Sequence, residues 1–211
     1  LTGDGNCKKI KCPFHWWTYD LDGRLKVYAR MENAIDFNAD EFGLVEFPLV
    51  ARDGFVFTSF EDEPLAIDAW LADFSTCHEP WGLDHWKVAR VREFEVRGNW
   101  KTFIEVFNEY YHLPYVHPDS IGHYYPEPDS ADPVMGEYTT QFGETTANPA
   151  LLEQHQDFSL PQIKTLGERE KRGARYTWVF PNLTFAASFD CMWMYHVYPI
   201  TATRTLAVQT V

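Results

Sequence analysis

The sequence predicts an α+β fold in which a small β-rich segment precedes a larger mixed one. Short strand-like pieces punctuated by Gly, Asp and Pro (26–31, 43–54 and 54–60) occupy residues 24–60. One strongly periodic run, residues 99–111, carries apolar side chains at 100, 103, 104, 107, 110 and 111, the spacing of a helix with one buried face. Around it lie alternating segments at 86–98, 175–187, 192–200 and 204–211, which read as strands.

In chain order, residues 3–12 read as the middle of a hairpin. The chain begins at Leu1 rather than Met and closes on the alternating stretch RTLAVQTV, so truncation at both ends is expected. Cys12 and His15 form a C-x-x-H pair, a spacing that lets one tight loop offer a thiolate and an imidazole to a metal. Zinc would want a second pair within a couple of dozen residues, and Cys77-His78 lies too far away. A Rieske-type [2Fe–2S] cluster would need a further Cys/His pair. Trp17 and Tyr19 alternate after this loop, and Asp22-Gly23 is a turn signal. Cys7 reads as an ordinary strand cysteine. Residues 64–74 read as a short amphipathic helix opened by Pro64.

The run 99–111 leads into two histidines, His112 and His117, with Tyr111 beside the first and Pro114 between them. Residues five apart on a regular helix point about 140° from each other. Pro114 disfavours continued helix through residue 113, and a turn there could bring the rings together. Two imidazoles with open facing positions suit Fe(II), which a carboxylate completes as a facial triad. Local hydrogen bonding of two half-buried histidines is the alternative, and the stretch alone leaves both open. The Pro- and acid-rich residues 118–162 read as loop, placing His123 and His155 at the surface. His196 reads as a cross-strand packing residue.

Composition sets the outer bounds. With 16 Phe, 11 Tyr and 8 Trp, the chain is suited to a large packed interior. A net charge of −13 without a basic tract argues against nucleic acid as a partner. No apolar run is long enough to span a membrane, and no signal-peptide pattern opens the chain. Four irregularly spaced cysteines do not look like a secreted disulfide framework, which makes the reducing cytoplasm the expected setting.

CPFHWWTYDLDGRL resembles the second half of the Rieske motif, and NWK…E…EYYHLPYVHP resembles the mononuclear iron motif that follows it in α subunits of Rieske non-haem iron oxygenases, the aromatic ring-hydroxylating oxygenase family. FPNLTF at 180–185 resembles a third landmark of that family, and the likeness extends from residue 3 to 204. The resemblance implies a partial Rieske [2Fe–2S] domain over 1–60 and a partial catalytic domain over 61–211, with an antiparallel sheet gripping a helix. It implies that Cys12 and His15 are cluster ligands, one to each iron. The first pair would lie a few residues before Leu1, and Cys7, lacking a histidine partner, is no substitute. Trp16 stands where the family more often has a small residue.

By the same resemblance His112 and His117 are ligands of the catalytic Fe(II), and Glu109 is the carboxylate that bridges the two sites for electron transfer between subunits. Glu105, one helical turn before it, is expected to support it, and Tyr111 to line the pocket. Val106 departs from the family, which frequently has Asn there. The third iron ligand would be an Asp beyond Val211; Asp190 is the tempting local candidate but is expected to be an ordinary strand or turn residue.

The implied partners are a reductase, with or without a ferredoxin, carrying electrons from NAD(P)H, together with O2, a small-molecule substrate and further copies of the chain, commonly as a trimer. The implied reaction is hydroxylation or dihydroxylation of an aromatic compound, as in aromatic hydrocarbon catabolism. The alternatives are oxidation of a quaternary ammonium compound of choline, carnitine or betaine type, electron transfer alone, and a non-catalytic relative.

Overall fold

The computed structural model describes residues 5–125 and 131–211. The chain divides into two compact units, Leu1–Val50 with Phe57–Pro64, and Ala51–Val56 with Leu65–Val211. The α+β expectation holds.

In the first unit β1 (Ile10–Lys11), β2 (Thr18–Tyr19) and β3 (Leu25–Val27) form a three-stranded antiparallel sheet in sequence order. Phe37 packs edge-on to Trp17 and stacks on Phe42, with ring centroids 5.8 and 5.1 Å apart. The hairpin of β4 (Leu49–Arg52) and β5 (Phe55–Thr58) is divided between the units.

The second unit continues through α1 (Ile67–Leu71), α2 (Phe74–His78), β6 (Val91–Val96), α3 (Trp100–Phe107), α4 (Leu113–Val116), β7 (Tyr138–Glu144), β8 (Gly173–Val179), β9 (Leu183–Ser188), β10 (Met192–Thr201) and β11 (Arg204–Thr210). Its six-stranded antiparallel sheet has the order β6-β11-β10-β9-β8-β7. Because successive strand residues face opposite ways, the sheet buries two different layers. On one face Ile104 of α3 packs with Val197 and Ala207, and Phe103 and Phe107 meet Tyr195 edge-on. On the other, Phe55, Phe74 and His78 gather around Phe185. Phe74 and Phe185 are fully buried, and each removes enough apolar surface to contribute roughly 2–3 kcal/mol. No helix among the described residues is long and apolar enough to cross a membrane.

Four expectations need correction. The helix expected over 64–74 is two short ones, broken at Ala72, whose φ is +42°. There the Asp73 carboxylate accepts hydrogen bonds from Met135 N–H and Tyr138 hydroxyl, a tertiary anchor that local sequence does not reveal. The helix expected over 99–111 opens where Asn99 caps it, its side chain accepting from Lys101 N–H, but stops at Phe107. The strand expected over 86–98 pairs regularly only from Val91. Finally, the loop expected over 118–162 contains β7, an edge strand in full register with β8, from Tyr138 opposite Val179 to Glu144 opposite Gly173. Its alternating buried Tyr138, Thr140 and Phe142 carry the signal that the flanking Pro and acidic residues obscured. Part of that expected loop, 126–130, lies outside the described residues.

Candidate metal centre

The site grows from the end of α3. Asn108 closes the helix, its N–H and side-chain amide both donating back to the Ile104 carbonyl. Residues 109–111 then lie outside any helix, and His112, with φ −77° and ψ −22°, opens α4. His112 directly precedes α4, and His117 directly follows it. Pro114 sits in the first turn of α4, where its missing N–H costs nothing. The proline therefore starts a helix, and the break occurs earlier, at Asn108. His117 leaves the helix with φ −121° and ψ 41°, and its carbonyl accepts from Ser120 and Gly122 N–H at 3.2 and 2.9 Å. Gly122 is required there, since a Cβ would fall 2.4 Å from the Leu113 carbonyl and 2.6 Å from that of His117.

These turns bring the two imidazoles together, with ring centroids 5.4 Å apart and planes at 71°. Glu109 secures the first ring. One carboxylate oxygen accepts from the His112 backbone N–H at 3.1 Å, and the other bonds His112 Nδ1. With Nδ1 so engaged, Nε2 is the nitrogen left to a metal. Both histidines and Glu109 line a cavity of about 700 Å³ between α3, α4 and the sheet, with Phe103, Phe107, Tyr110, Tyr176, Trp193 and Tyr195 in its walls. Desolvation raises the Tyr176 and Tyr125 phenols, whose hydroxyls lie 2.6 Å apart, so both stay protonated. Burial pushes the Cys191 thiol, also in the wall, up to about 12. Tyr176 and Cys191 therefore give the wall no negative charge near neutral pH.

Two imidazoles backed by a carboxylate form a donor set that suits Fe(II). Among the described residues no group of three or more His, Cys, Asp and Glu converges as a complete metal site.

The other sequence candidates fall as follows. Cys12 and His15 lie on the loop joining β1 and β2, which Cys12 closes by donating to the Trp17 carbonyl and accepting from Trp16 N–H, at 2.8 and 3.0 Å. Cys12 is half-buried and His15 exposed. Trp16 adopts a φ of +67° with Lys11 Nζ 3.7 Å above its ring. Val106 lines the cavity. Glu105 is exposed and does not, so the one-turn relation to Glu109 is lost where α3 ends. Tyr111 is also misplaced: it is 81% exposed beside Tyr115, whereas buried Tyr110 faces the cavity.

Asp190 belongs to the turn between β9 and β10. Its carboxylate is occupied by the Asn148 amide, Leu160 N–H and Ser188 hydroxyl. His123 and His155 are exposed on 3-10 turns. His196 is half-buried on β10 opposite Leu183 and Val208, and burial lowers its pKa. Cys7 is exposed. Asn108, Tyr110, Gln141, Tyr176 and Thr184 also shape the site. Tyr110 carries a local signal in its place in the apolar stripe, and Thr184 lies within FPNLTF.

Residues 83–211, which contain both histidines, Glu109 and all six strands of the large sheet, match the ring hydroxylating alpha subunit (catalytic domain) family. The chain belongs to that family. It is 38% identical over 115 residues to a glycine betaine monooxygenase oxygenase subunit of Pseudomonas aeruginosa, covering 54% of this chain and 27% of the relative. A counterpart in Chromohalobacter salexigens is 36% identical over 129 residues, covering 61% and 29%. A carnitine monooxygenase oxygenase subunit of Escherichia coli is 33% identical over 126 residues, covering 56% and 32%. The chain thus spans less than a third of the length of these curated relatives. Among solved structures, a quaternary ammonium Rieske monooxygenase with γ-butyrobetaine matches all of this chain and 53% of its own, with a TM-score of 0.73 at 22% identity. Naphthalene 1,2-dioxygenase of a Rhodococcus species matches 98% and 54%, with a TM-score of 0.70 at 17% identity. These two likenesses speak for the fold.

Proposed function

We propose that this chain forms part of the oxygenase subunit of a Rieske-type iron oxygenase acting on a quaternary ammonium compound. The observation that carries the reading is the facing pair His112 and His117, backed by Glu109, in the wall of an aromatic cavity. In this reading the two histidines supply the imidazole ligands of Fe(II), and Cys12 and His15 supply half of a Rieske cluster set. The iron, when bound, supplies activation of O2. The Glu109 carboxylate keeps the His112 proton on Nδ1 and the Nε2 lone pair directed away from it. The rings of Phe107, Tyr110, Tyr176 and Trp193 exclude water and can hold an ammonium group by cation–π attraction, worth roughly 2 kcal/mol when desolvated.

The relatives named for glycine betaine and carnitine favour this substrate class over an aromatic hydrocarbon. Naphthalene 1,2-dioxygenase shares the architecture at an identity too low to bear on substrate. Electrons from NAD(P)H would arrive through a reductase, with or without a ferredoxin, and copies of the subunit would assemble as a trimer in which Glu109 bridges the sites. The test is O2 consumption by the whole subunit of which this chain forms part, loaded with its iron and cluster and supplied with a reductase. Glycine betaine or carnitine should stimulate it, with hydroxylation of a carbon beside the nitrogen splitting that C–N bond into an aldehyde and an amine, and naphthalene should not. Stimulation by naphthalene alone would overturn the substrate class.

A further inference from the structure

Glu109 lies on an irregular stretch between two helices, where neither helix fixes its backbone. Yet the residues on both sides of it are fastened to the sheet. Asn108 donates from its side chain to Thr184 Oγ1 on β9 at 3.1 Å, and Thr184 in turn donates to the Thr177 carbonyl on β8 at 2.9 Å. The Asn108 carbonyl accepts from the side-chain amide of Gln141 on β7. Tyr110, on the other side, stacks on Tyr125 with centroids 5.1 Å apart and presses on Gly143 of β7, where a Cβ would fall 2.9 Å from its ring. Three neighbouring strands therefore hold the chain where Glu109 must turn toward His112.

We propose that Asn108, Gln141 and Thr184 act as a brace: these positioning residues fix the Glu109 carboxylate on His112 and thereby the geometry of the histidine pair. The proposal rests on the reading of His112 and His117 as metal ligands. Its physical basis is that an amide half-removed from water needs partners, and here the partners tie the segment to strands 33 and 76 residues away in sequence. A carboxylate that orients a ligand histidine acts only if it is itself held.

Thr184 separates this role from packing. It is fully buried. Thr184→Val keeps the shape and removes the hydroxyl, whereas Thr184→Ser keeps the hydroxyl and removes a methyl group. The experiment titrates metal-free protein with Co(II) alone and follows its visible absorption. Thr184→Val and Gln141→Leu should each weaken binding roughly tenfold, the lower end of what disturbing a ligand's supporting shell costs, and alter the absorption band. Thr184→Ser should restore both toward wild type. In a Glu109→Gln background neither substitution should weaken binding further, because they act through that carboxylate. A Ser variant worse than the Val variant, or losses that add to that of Glu109→Gln, would overturn the brace. If Co(II) binding to the wild type survives both His112→Ala and His117→Ala, the ligand reading itself is wrong and the brace falls with it.

Discussion

His78 makes stability depend on pH in a way that can be worked out from its surroundings. The ring is 2% exposed, packed against Phe74 and Phe185, with Nδ1 bonded to the Phe74 carbonyl and Nε2 to the Thr177 hydroxyl, each at 2.8 Å. Desolvation lowers its pKa from 6.5 to about 3. In the folded protein it stays neutral down to that value, whereas in the unfolded chain it takes up a proton below 6.5. The unfolded state thus binds the extra proton, and stability rises with pH across this window. The contribution is complete above 6.5 and is lost as pH falls toward 3. At about 1.4 kcal/mol per unit, acidification from about pH 7.5 to about pH 4.5 should cost about 3 kcal/mol through this residue alone.

The assay is urea unfolding of wild type and His78→Gln at both pH values. Glutamine loses the ring's packing and weakens its hydrogen bonds, costing about 1–3 kcal/mol near neutrality, but does not titrate. The gap between the two proteins should therefore shrink, or reverse, by about 3 kcal/mol on acidification. Asp73 also loses stabilisation in acid, because hydrogen bonds from Met135 N–H and Tyr138 outweigh its desolvation and lower its pKa. It is common to both proteins and cancels. A gap that stays constant with pH would refute the assignment of a neutral buried imidazole.

Other outcomes follow from the site. Gly143→Ala drives a Cβ to 2.9 Å from Tyr110, which Tyr125 and Tyr176 prevent from yielding. Overpacking of this kind costs about 1–3 kcal/mol, so calorimetry should show a melting temperature lower by roughly 2–12 °C. Tyr110→Ala should cost about 3–5 kcal/mol in urea unfolding, while Tyr111→Ala, at an exposed position, should stay within about 0.5 kcal/mol of wild type. Glu109→Gln should weaken Fe(II) binding roughly ten- to a hundredfold in an anaerobic titration while the metal-free protein keeps its melting profile.

Much of this protein follows from its sequence. The spacing of Trp100, Phe103, Ile104 and Phe107 places them on one face of a helix, because backbone geometry fixes which side chains share a face, and α3 forms there. Alternation at 192–200 and 204–211 is a strand for the same reason. The pair His112 and His117 is local as well: six residues of chain and one short helix are enough to bring the rings together. What lies between these elements was decided elsewhere. Asn108 ends α3 through partners on β7 and β9, and beyond that early stop Tyr110 is buried while Tyr111 is exposed. β7 becomes a strand because β8 offers it an open edge, and α1 separates from α2 because Asp73 finds Met135 and Tyr138. Local periodicity registers neighbours within a turn or a pleat. Which end of an element frays, and which side chain meets the cavity, depends on hydrogen bonds that join residues 33 to 76 positions apart, and those exist only once the sheet has formed.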